Sequence, residues 1–425
     1  MFTKLTALLN RETTWHIFIN TLGNYGNVIF TAGYTFWLVR LMSPADYGTF
    51  SILFSIIFVL TNIFDFGVAA AIFSSLPSMI GKKEQIASFL KANFIFQTSL
   101  TIIGLTILTF FLEPINSSVL KLDIPQSYYY WTFVSIVMYL WQNFFLNALY
   151  AGKRFILANG VITFSNIVRL FALASLVYTS HIRIDYIIIA LGVIGPLIII
   201  LSIIFVKKDY IARVHKAKVE REDLKISYTL VYLVATQCYN LASRIDLFIM
   251  SYFLTKTDVG YYAVAQKIIV TILTAVNSIT QVLSPQFALV KKKAEAISLF
   301  KKSYLYVGLP ALFLIAIALT PTSIFTWFFG IQYAAAIPVL HKLSLVNIVF
   351  GFTAIPLLFF LYTIKKPWYV LFNNALMLMI IAAVNWQLVP KLGIEASIWA
   401  SATAYGVMAI FLYFSVNHEL KKLEY

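Results

Sequence analysis

Apolar residues run through this chain in blocks of twenty or more, separated by short polar connections. The hydrocarbon core of a bilayer is about 30 Å thick and takes about 20 helical residues to cross. Blocks of that kind fall at 15–39, 49–76, 90–112, 129–150, 158–179, 185–206, 227–254, 261–289, 303–329, 335–362, 368–389 and 394–416. The pattern predicts an all-α integral membrane protein with twelve transmembrane helices. The first block is not a cleavable leader: it is too long, Asn20, Asn24 and Asn27 interrupt it, and no small-residue cleavage site follows. Ahead of it, Phe2, Leu5, Leu8 and Leu9 form one face of a short interfacial helix. Pro196, Pro310, Pro338 and Pro356 lie inside predicted helices and predict kinks. The run Tyr128 to Trp131 sits at a helix end, as an aromatic belt does.

Composition agrees with the pattern. Of 425 residues, 60% are hydrophobic and 12% charged, and the mean hydropathy is +0.84. Soluble domains carry about 25% charged residues, so a soluble globule is excluded. The net charge of +15 would suggest nucleic acid on a soluble protein; here its distribution carries topology instead. With the N-terminus inside, 23 of the 32 Lys and Arg fall in cytoplasmic segments. Five (Arg40, Lys121, Arg183, Lys256, Lys391) fall on the other side, and four (Arg169, Arg244, Lys267, Lys342) within helices. That split satisfies the positive-inside rule with N-in and C-in termini and leaves no nucleic-acid role to explain. Cys238 is alone, the five histidines are scattered, and no phosphate-binding loop, His-Glu-x-x-His or Cys-x-x-Cys occurs. The connections are short, the longest running from Lys207 to Ser227. No enzyme, cofactor or metal site is expected, and a secondary transporter is.

The chain also repeats. Asp46-Tyr47-Gly48-Thr49-Phe50 returns as Asp258-Val259-Gly260-Tyr261-Tyr262, an offset of 212, and at that offset Lys153-Arg154 falls on Lys365-Lys366. Six spans per half is even, so the halves are parallel repeats, a design that places substrate between them. The expected domains are an N-lobe at 1–206, a cytoplasmic linker at 207–226 and a C-lobe at 227–425.

The loop Arg40-Leu-Met-Ser-Pro-Ala-Asp-Tyr-Gly48, the triplet Asp65-Phe66-Gly67 and the segment Val259-Gly-Tyr-Tyr-Ala-Val-Ala265 carry a resemblance. Together with the 6+6 layout they resemble the Wzx-type polysaccharide repeat-unit (O-antigen) flippases of the MOP (multidrug/oligosaccharidyl-lipid/polysaccharide) exporter superfamily. The resemblance implies two six-helix lobes related by a pseudo-twofold axis and opening alternately to either side of a bacterial inner membrane. It implies a substrate, an undecaprenyl-pyrophosphate-linked oligosaccharide, turned from the cytoplasmic to the outer leaflet. Membrane lipids, a polysaccharide polymerase and chain-length proteins are the implied partners. MATE-type, cation-coupled exporters of small compounds share the twelve helices and stand as the alternative. A glycan polymerase would carry a large loop with charged catalytic residues, which this chain lacks.

Charge inside a membrane is costly and marks cavities or partners. Four intramembrane cations against two acids, Asp65 and Asp246, predict a cationic cleft suited to pyrophosphate, for which arginine offers a bidentate fork. Gln237, Asn240 and Arg244 at i, i+3 and i+7, and Asn20, Asn24 and Asn27 at i, i+4 and i+7, each share a helix face. Arg169 shares one with Asn166. All are candidates for binding the sugar lipid, with Lys267 and Lys342; helix–helix hydrogen bonding is the plainer role for the amides. Lys267 and Lys342 lie near helix ends and can snorkel, and Arg40 reads as an interface anchor. Asp65 is either a coupling-ion site or a structural partner for Lys267 or Arg244. Asp246 lies two residues from Arg244, about 200° around a continuous helix, and so faces elsewhere in its lobe.

Overall fold

The computed structural model describes the backbone of residues 11–79, 81–219 and 230–423, and the side chains of all of these except 11–22, 24, 25, 230, 232 and 285. The interfacial helix expected at Phe2 to Leu9 lies outside the described residues. The helices are α1 (Arg11–Leu41), α2 (Pro44–Ile63), α3 (Val68–Ser75), α4 (Lys83–Phe110), α5 (Gln126–Ala151), α6 (Phe155–Tyr178), α7 (Ile184–Val206) and α8 (Lys208–Lys216). The second half continues with α9 (Leu230–Ala242), α10 (Ile245–Phe253), α11 (Lys256–Leu289), α12 (Lys293–Ala318), α13 (Thr322–Phe329), α14 (Ala336–Thr363), α15 (Trp368–Leu392) and α16 (Glu395–Leu420). Among the described residues there is no strand.

Ten of these helices are long and apolar enough to cross a membrane. The two remaining sequence blocks correspond to the 31-residue α1 and to the α9–α10 pair. Burial is inverted relative to a soluble protein. Phe110, Tyr178, Phe205 and Leu305 are more than 75% exposed, while Asn93, Gln97, Thr101, Asn373 and Asn385 are buried. A backbone in lipid must satisfy its own hydrogen bonds, which helices do, and the outward apolar side chains then face hydrocarbon. The chain is a multi-pass membrane protein.

It divides into two compact units. One comprises the described residues of Met1–Thr35, Ile56–Pro114 and Ile124–Tyr228; the other comprises Phe36–Ser55, Ile115–Asp123 and those of Thr229–Tyr425. In the first, Ile72, Leu76, Phe89 and Phe144 form a core where α3, α4 and α5 meet. In the second, Phe287, Phe300, Phe359 and Phe360 do the same for α11, α12 and α14.

The repeat is visible in the helix starts. Pro44 and Lys256, Lys83 and Lys293, Gln126 and Ala336, Phe155 and Trp368, and Ile184 and Glu395 are each separated by 210–213 positions. The shared motif has a local cause. Ser43 precedes α2, and its Oγ accepts the Asp46 amide at 3.2 Å and donates to the Asp46 carboxylate at 2.6 Å. Thr255 does the same for α11: its Oγ1 accepts the Asp258 amide at 3.2 Å, and Asp258 accepts the Thr255 amide at 3.3 Å. A hydroxyl at the N-cap with an acid at N3 satisfies two of the otherwise orphaned donors of a helix start. The acids of the motif therefore belong to helix capping, and the glycines two residues later mark a close backbone approach between the starts of α2 and α11, which both lie in the second unit.

Three helices depart from the sequence reading. The predicted helix at 49–76 is interrupted at Phe66 (φ 48°) and Gly67 (φ 81°), beyond which α3 starts afresh. The left-handed region favours glycine, so Gly67 is the residue that permits the break. The predicted helix at 227–254 ends at Ala242 and restarts at Ile245, with Arg244 at φ −137° between them. The predicted helix at 303–329 is α12, which begins ten residues earlier at Lys293, followed by the separate α13. The 207–226 connection also contains α8, an amphipathic helix too polar to stand out as an apolar block. Proline shapes two other helices. A π-helical segment at Ile189–Ile194 precedes Pro196, and another at Phe359–Thr363 follows Pro356, as expected where a missing amide disrupts the i to i−4 ladder.

Candidate functional site

In the first unit, a polar chain runs through the interior from α1 to α7. Asn27 Oδ1 accepts from Asn166 Nδ2 at 3.0 Å and from Thr163 Oγ1 at 3.2 Å. Asn166 Oδ1 in turn accepts from Arg169 Nη1 at 3.1 Å, and Gln142 Oε1 accepts from Arg169 Nη2 at 3.5 Å. The Tyr139 ring stands 5.9 Å from the guanidinium carbon. Across from these, α7 presents Gly195, where a methyl group would overlap the guanidinium. Arg169 is 7% exposed, and its Nε has no hydrogen-bond partner among the described residues. Its neighbours are amides and an aromatic face, and among the described residues no carboxylate pairs with it. Asn166 and Arg169 thus share a face, and Asn27 joins them. The side chains of Asn20 and Asn24 lie outside the described residues.

In the second unit, a corresponding chain forms around the break between α9 and α10. Arg244 Nη1 donates to Gln266 Oε1 at 3.3 Å, and Gln266 Nε2 donates to Asp246 Oδ2 at 2.9 Å. The Tyr262 hydroxyl donates to the same carboxylate oxygen, and the Leu247 amide donates to Oδ1 at 2.8 Å. Arg244 and Asp246 are therefore joined through one amide. A continuous helix would set the two about 200° apart, but the helix breaks at Ser243–Arg244. The same break removes the basis for placing Gln237, Asn240 and Arg244 on one face. Asn240 is buried on α9, with its carbonyl accepting from Ser243. Gln266, Asp246, Asn347, Asn374 and Tyr405 line a cavity of about 360 Å³.

The remaining candidates sit elsewhere. Lys342 forms an exposed ion pair with Glu395 at 2.7 Å, joining the starts of α14 and α16. Lys267 is half-buried on α11. Arg40 donates to the Trp327 carbonyl at 3.2 Å. Asp65 is paired by Gln97 Nε2 at 3.0 Å and by the Ala69 amide at 3.2 Å, where one of the two sequence readings placed Lys267 or Arg244. Its carboxylate closes the break at Phe66–Gly67 by capping the new helix α3, a role short acidic side chains favour. Replacing Asp65 with asparagine, which retains an accepting oxygen, is expected to leave transport above half of wild type. Asp65→Ala is expected to cost about 1 kcal/mol of stability, the usual worth of a lost cap. Transport assays with thermal melting of purified protein check both, and a folded but inactive Asp65→Asn protein would assign coupling to this carboxylate instead.

Sequence reading missed Gln142, Tyr139, Gly195, Gln266 and Tyr262. Gln142 and Gln266 are amides inside long apolar blocks with no charge or repeat spacing to single them out, and the tyrosines are two among 25. Their significance comes from the partner across the helix interface, which no spacing along one helix reveals.

A profile of the polysaccharide biosynthesis protein family matches residues 15–291. No curated protein matches the chain by sequence. Among solved structures, the fold is similar to an inward-facing multidrug resistance MATE family transporter of the MOP superfamily. That likeness has a TM-score of 0.72 at 16% identity, over 95% of each chain. It is also similar to the lipid II flippase MurJ in an inward closed conformation, with a TM-score of 0.67 at 16% identity, over 94% of this chain and 87% of that one. A Vibrio cholerae MATE transporter matches at a TM-score of 0.61 and 15% identity, over 98% of each chain. At such identities the structural likeness concerns the fold, while the sequence profile spans well over half of the chain: the protein belongs to the polysaccharide biosynthesis protein family.

Proposed function

We propose that this protein is a flippase that carries an undecaprenyl-pyrophosphate-linked oligosaccharide, an O-antigen or similar repeat unit, from the cytoplasmic to the outer leaflet of a bacterial inner membrane. It does so by alternating access with twelve passes, both termini cytoplasmic, and two six-helix halves at 1–206 and 227–425 joined by 207–226. The observation that carries the reading is Arg169, a buried guanidinium whose described partners are neutral. A buried cation without an anion is strongly penalised, and a phosphate supplies the missing charge with geometry that fits the guanidinium fork. Asn27, Asn166 and Gln142 add amide donors and acceptors suited to phosphate and sugar hydroxyls. In the second unit Arg244 is the headgroup ligand, with its orientation set by Gln266, and Asp246 tunes that amide from behind. Lys267 assists, whereas Lys342 is committed to Glu395. An exporter of cationic compounds calls for a carboxylate free to meet its cargo, and Asp65 and Asp246 each already accept from several donors.

In cells depleted of the protein, lipid-linked repeat units are expected to accumulate on the cytoplasmic leaflet. Labelling by an impermeant lectin, applied to right-side-out and inverted vesicles, checks this. Unchanged glycan export together with increased sensitivity to cationic compounds would overturn the proposal in favour of a small-compound exporter.

A further inference from the structure

The two halves handle their cations differently at one repeated place. In the second unit, Lys366 in the turn before α15 donates to Glu419 near the end of α16 at 3.0 and 3.1 Å. Lys422 donates to the same carboxylate at 3.2 Å, and the Tyr369 hydroxyl at 2.8 Å. Glu419 is 3% exposed, so this acid neutralises the turn from inside. The repeat offset of 212 takes Lys366 to Arg154, Glu419 to Lys207 and Lys422 to Tyr210. The backbone agrees with that register at the turn, because Lys153 and Lys365, which precede the compared cations, adopt φ of 57° and 58°; the starts of α7 and α16 differ by 211, and a shift of one residue would set Glu419 on Lys208, again a lysine. The first half therefore carries a lysine where the second carries the neutralising carboxylate.

Arg154, Lys207 and Tyr210 line one cavity of about 530 Å³ together with Lys83 and Arg213. Its walls are apolar, built by Leu76, Leu90, Phe144, Leu149 and Ile203. Helix α8 is held in place by Lys91, whose ammonium donates to the carbonyls of His215 and Ala217 at 2.7 and 2.8 Å. Asp209 is the one acid among the lining residues. Arg213 has a long ion pair, 3.6 Å, with the exposed Glu84, and Lys83, Arg154 and Lys207 have none among the described residues. Burial pushes the Tyr210 phenol above its usual range, against the pull of the Arg213 and Arg154 guanidiniums beside it, so it stays a neutral hydrogen-bond donor.

A slot of this size falls in the range of ligand sites, roughly 300–1,000 Å³. Its chemistry asks for two things at once: an anion at the rim and an apolar body within. Basic pockets at the ends of membrane helices take anionic lipid headgroups, whereas inorganic phosphate would leave the walls unfilled and a zwitterionic lipid would bring its own cation to a cationic rim. We propose that this cavity binds one anionic phospholipid, its phosphate diester held by Arg154, Lys207 and Arg213 where the second half has Glu419, and an acyl chain laid along Phe144, Leu149 and Ile203. The site requires only that the chain sits in a membrane and stands apart from the transport reading.

The test is native mass spectrometry of delipidated, full-length protein titrated with phosphatidylglycerol or phosphatidylethanolamine of matched chains. Phosphatidylglycerol is expected to bind at least ten-fold tighter. Lys207→Glu supplies internally the acid that the second half possesses, and is expected to fold and to lose that preference to within two-fold. Ala148→Trp fills the slot with the rim charges intact and is expected to abolish uptake of the lipid, while Lys302→Gln, at an exposed cation in the other unit, leaves it unchanged. Equal binding of the two lipids, or unaltered phosphatidylglycerol binding in the Lys207→Glu protein, would overturn the proposal. So would displacement of the phospholipid by equimolar undecaprenyl phosphate, or by millimolar inorganic phosphate.

Discussion

Arg169→Ala is expected to lower export of lipid-linked oligosaccharide at least ten-fold at matched protein levels. Hydrogen bonds to a charged group contribute about 1.5–3 kcal/mol each, and every 1.4 kcal/mol is a factor of ten, so loss of even one phosphate contact reaches that size. Alanine also strands the Asn166 and Gln142 oxygens that accept from the guanidinium, and a merely structural arginine would lower export in the same way. Gly195→Ala separates the two roles. Gly195 has helical backbone angles, φ −56° and ψ −58°, where alanine is favoured over glycine by roughly 0.5–1 kcal/mol. The added methyl nevertheless meets the Arg169 guanidinium and must displace it while the charge stays. Export by Gly195→Ala is expected to fall at least five-fold with a smaller loss of melting temperature than Arg169→Ala, because the charge stays and the displaced guanidinium can find new partners. Arg169→Lys is expected to retain an intermediate level, since a point charge replaces a fork. Full export by folded Gly195→Ala and Arg169→Ala proteins would remove Arg169 from the binding machinery.

The all-helical, multi-span fold was legible because membrane-crossing length is a strong one-dimensional signal. The motif spacing of 212 was equally legible and reappears in the helix starts. Legibility failed wherever a helix is interrupted. Nothing in the local sequence Ala242-Ser243-Arg244 marks a break, because serine and arginine are unremarkable in a helix; the break is stabilised by Gln266 and Tyr262 of α11, which hold Arg244 and Asp246 from across an interface. The polar groups at Asn27, Asn166 and Arg169 were found because they lie at helical spacings or carry charge. Gln142 and Gly195 were not, since one amide among several and a helical glycine acquire meaning only from the guanidinium they contact. Lys342 was counted by its charge, and its partner Glu395, 53 residues away, lay beyond any helix-face argument.

The repeated glycines carry the second large effect. A Cβ on Gly48 would overlap the Lys256 carbonyl oxygen and crowd the Gly260 amide, and a Cβ on Gly260 would overlap the Pro44 carbonyl. The obstacles are backbone atoms at the capped starts of α2 and α11, which cannot change rotamer to make room. Tyr333 closes the contact, fully buried, donating to the Met42 carbonyl at 3.1 Å and lying edge-on to Tyr47 and Tyr261 at 6.3 and 6.4 Å. Overpacking costs about 1–3 kcal/mol where side chains can yield, and the upper part of that range is expected for Gly48→Ala or Gly260→Ala, read as lowered thermal stability of the purified protein. Either methyl alone forces the two helix starts apart, so the second meets a gap already opened. The double variant is therefore expected to be no less stable than the worse single one, the non-additivity of a shared contact. Additive losses would mean that each glycine serves its own helix, and unchanged stability in both single variants would mean that the approach of α2 to α11 yields without cost.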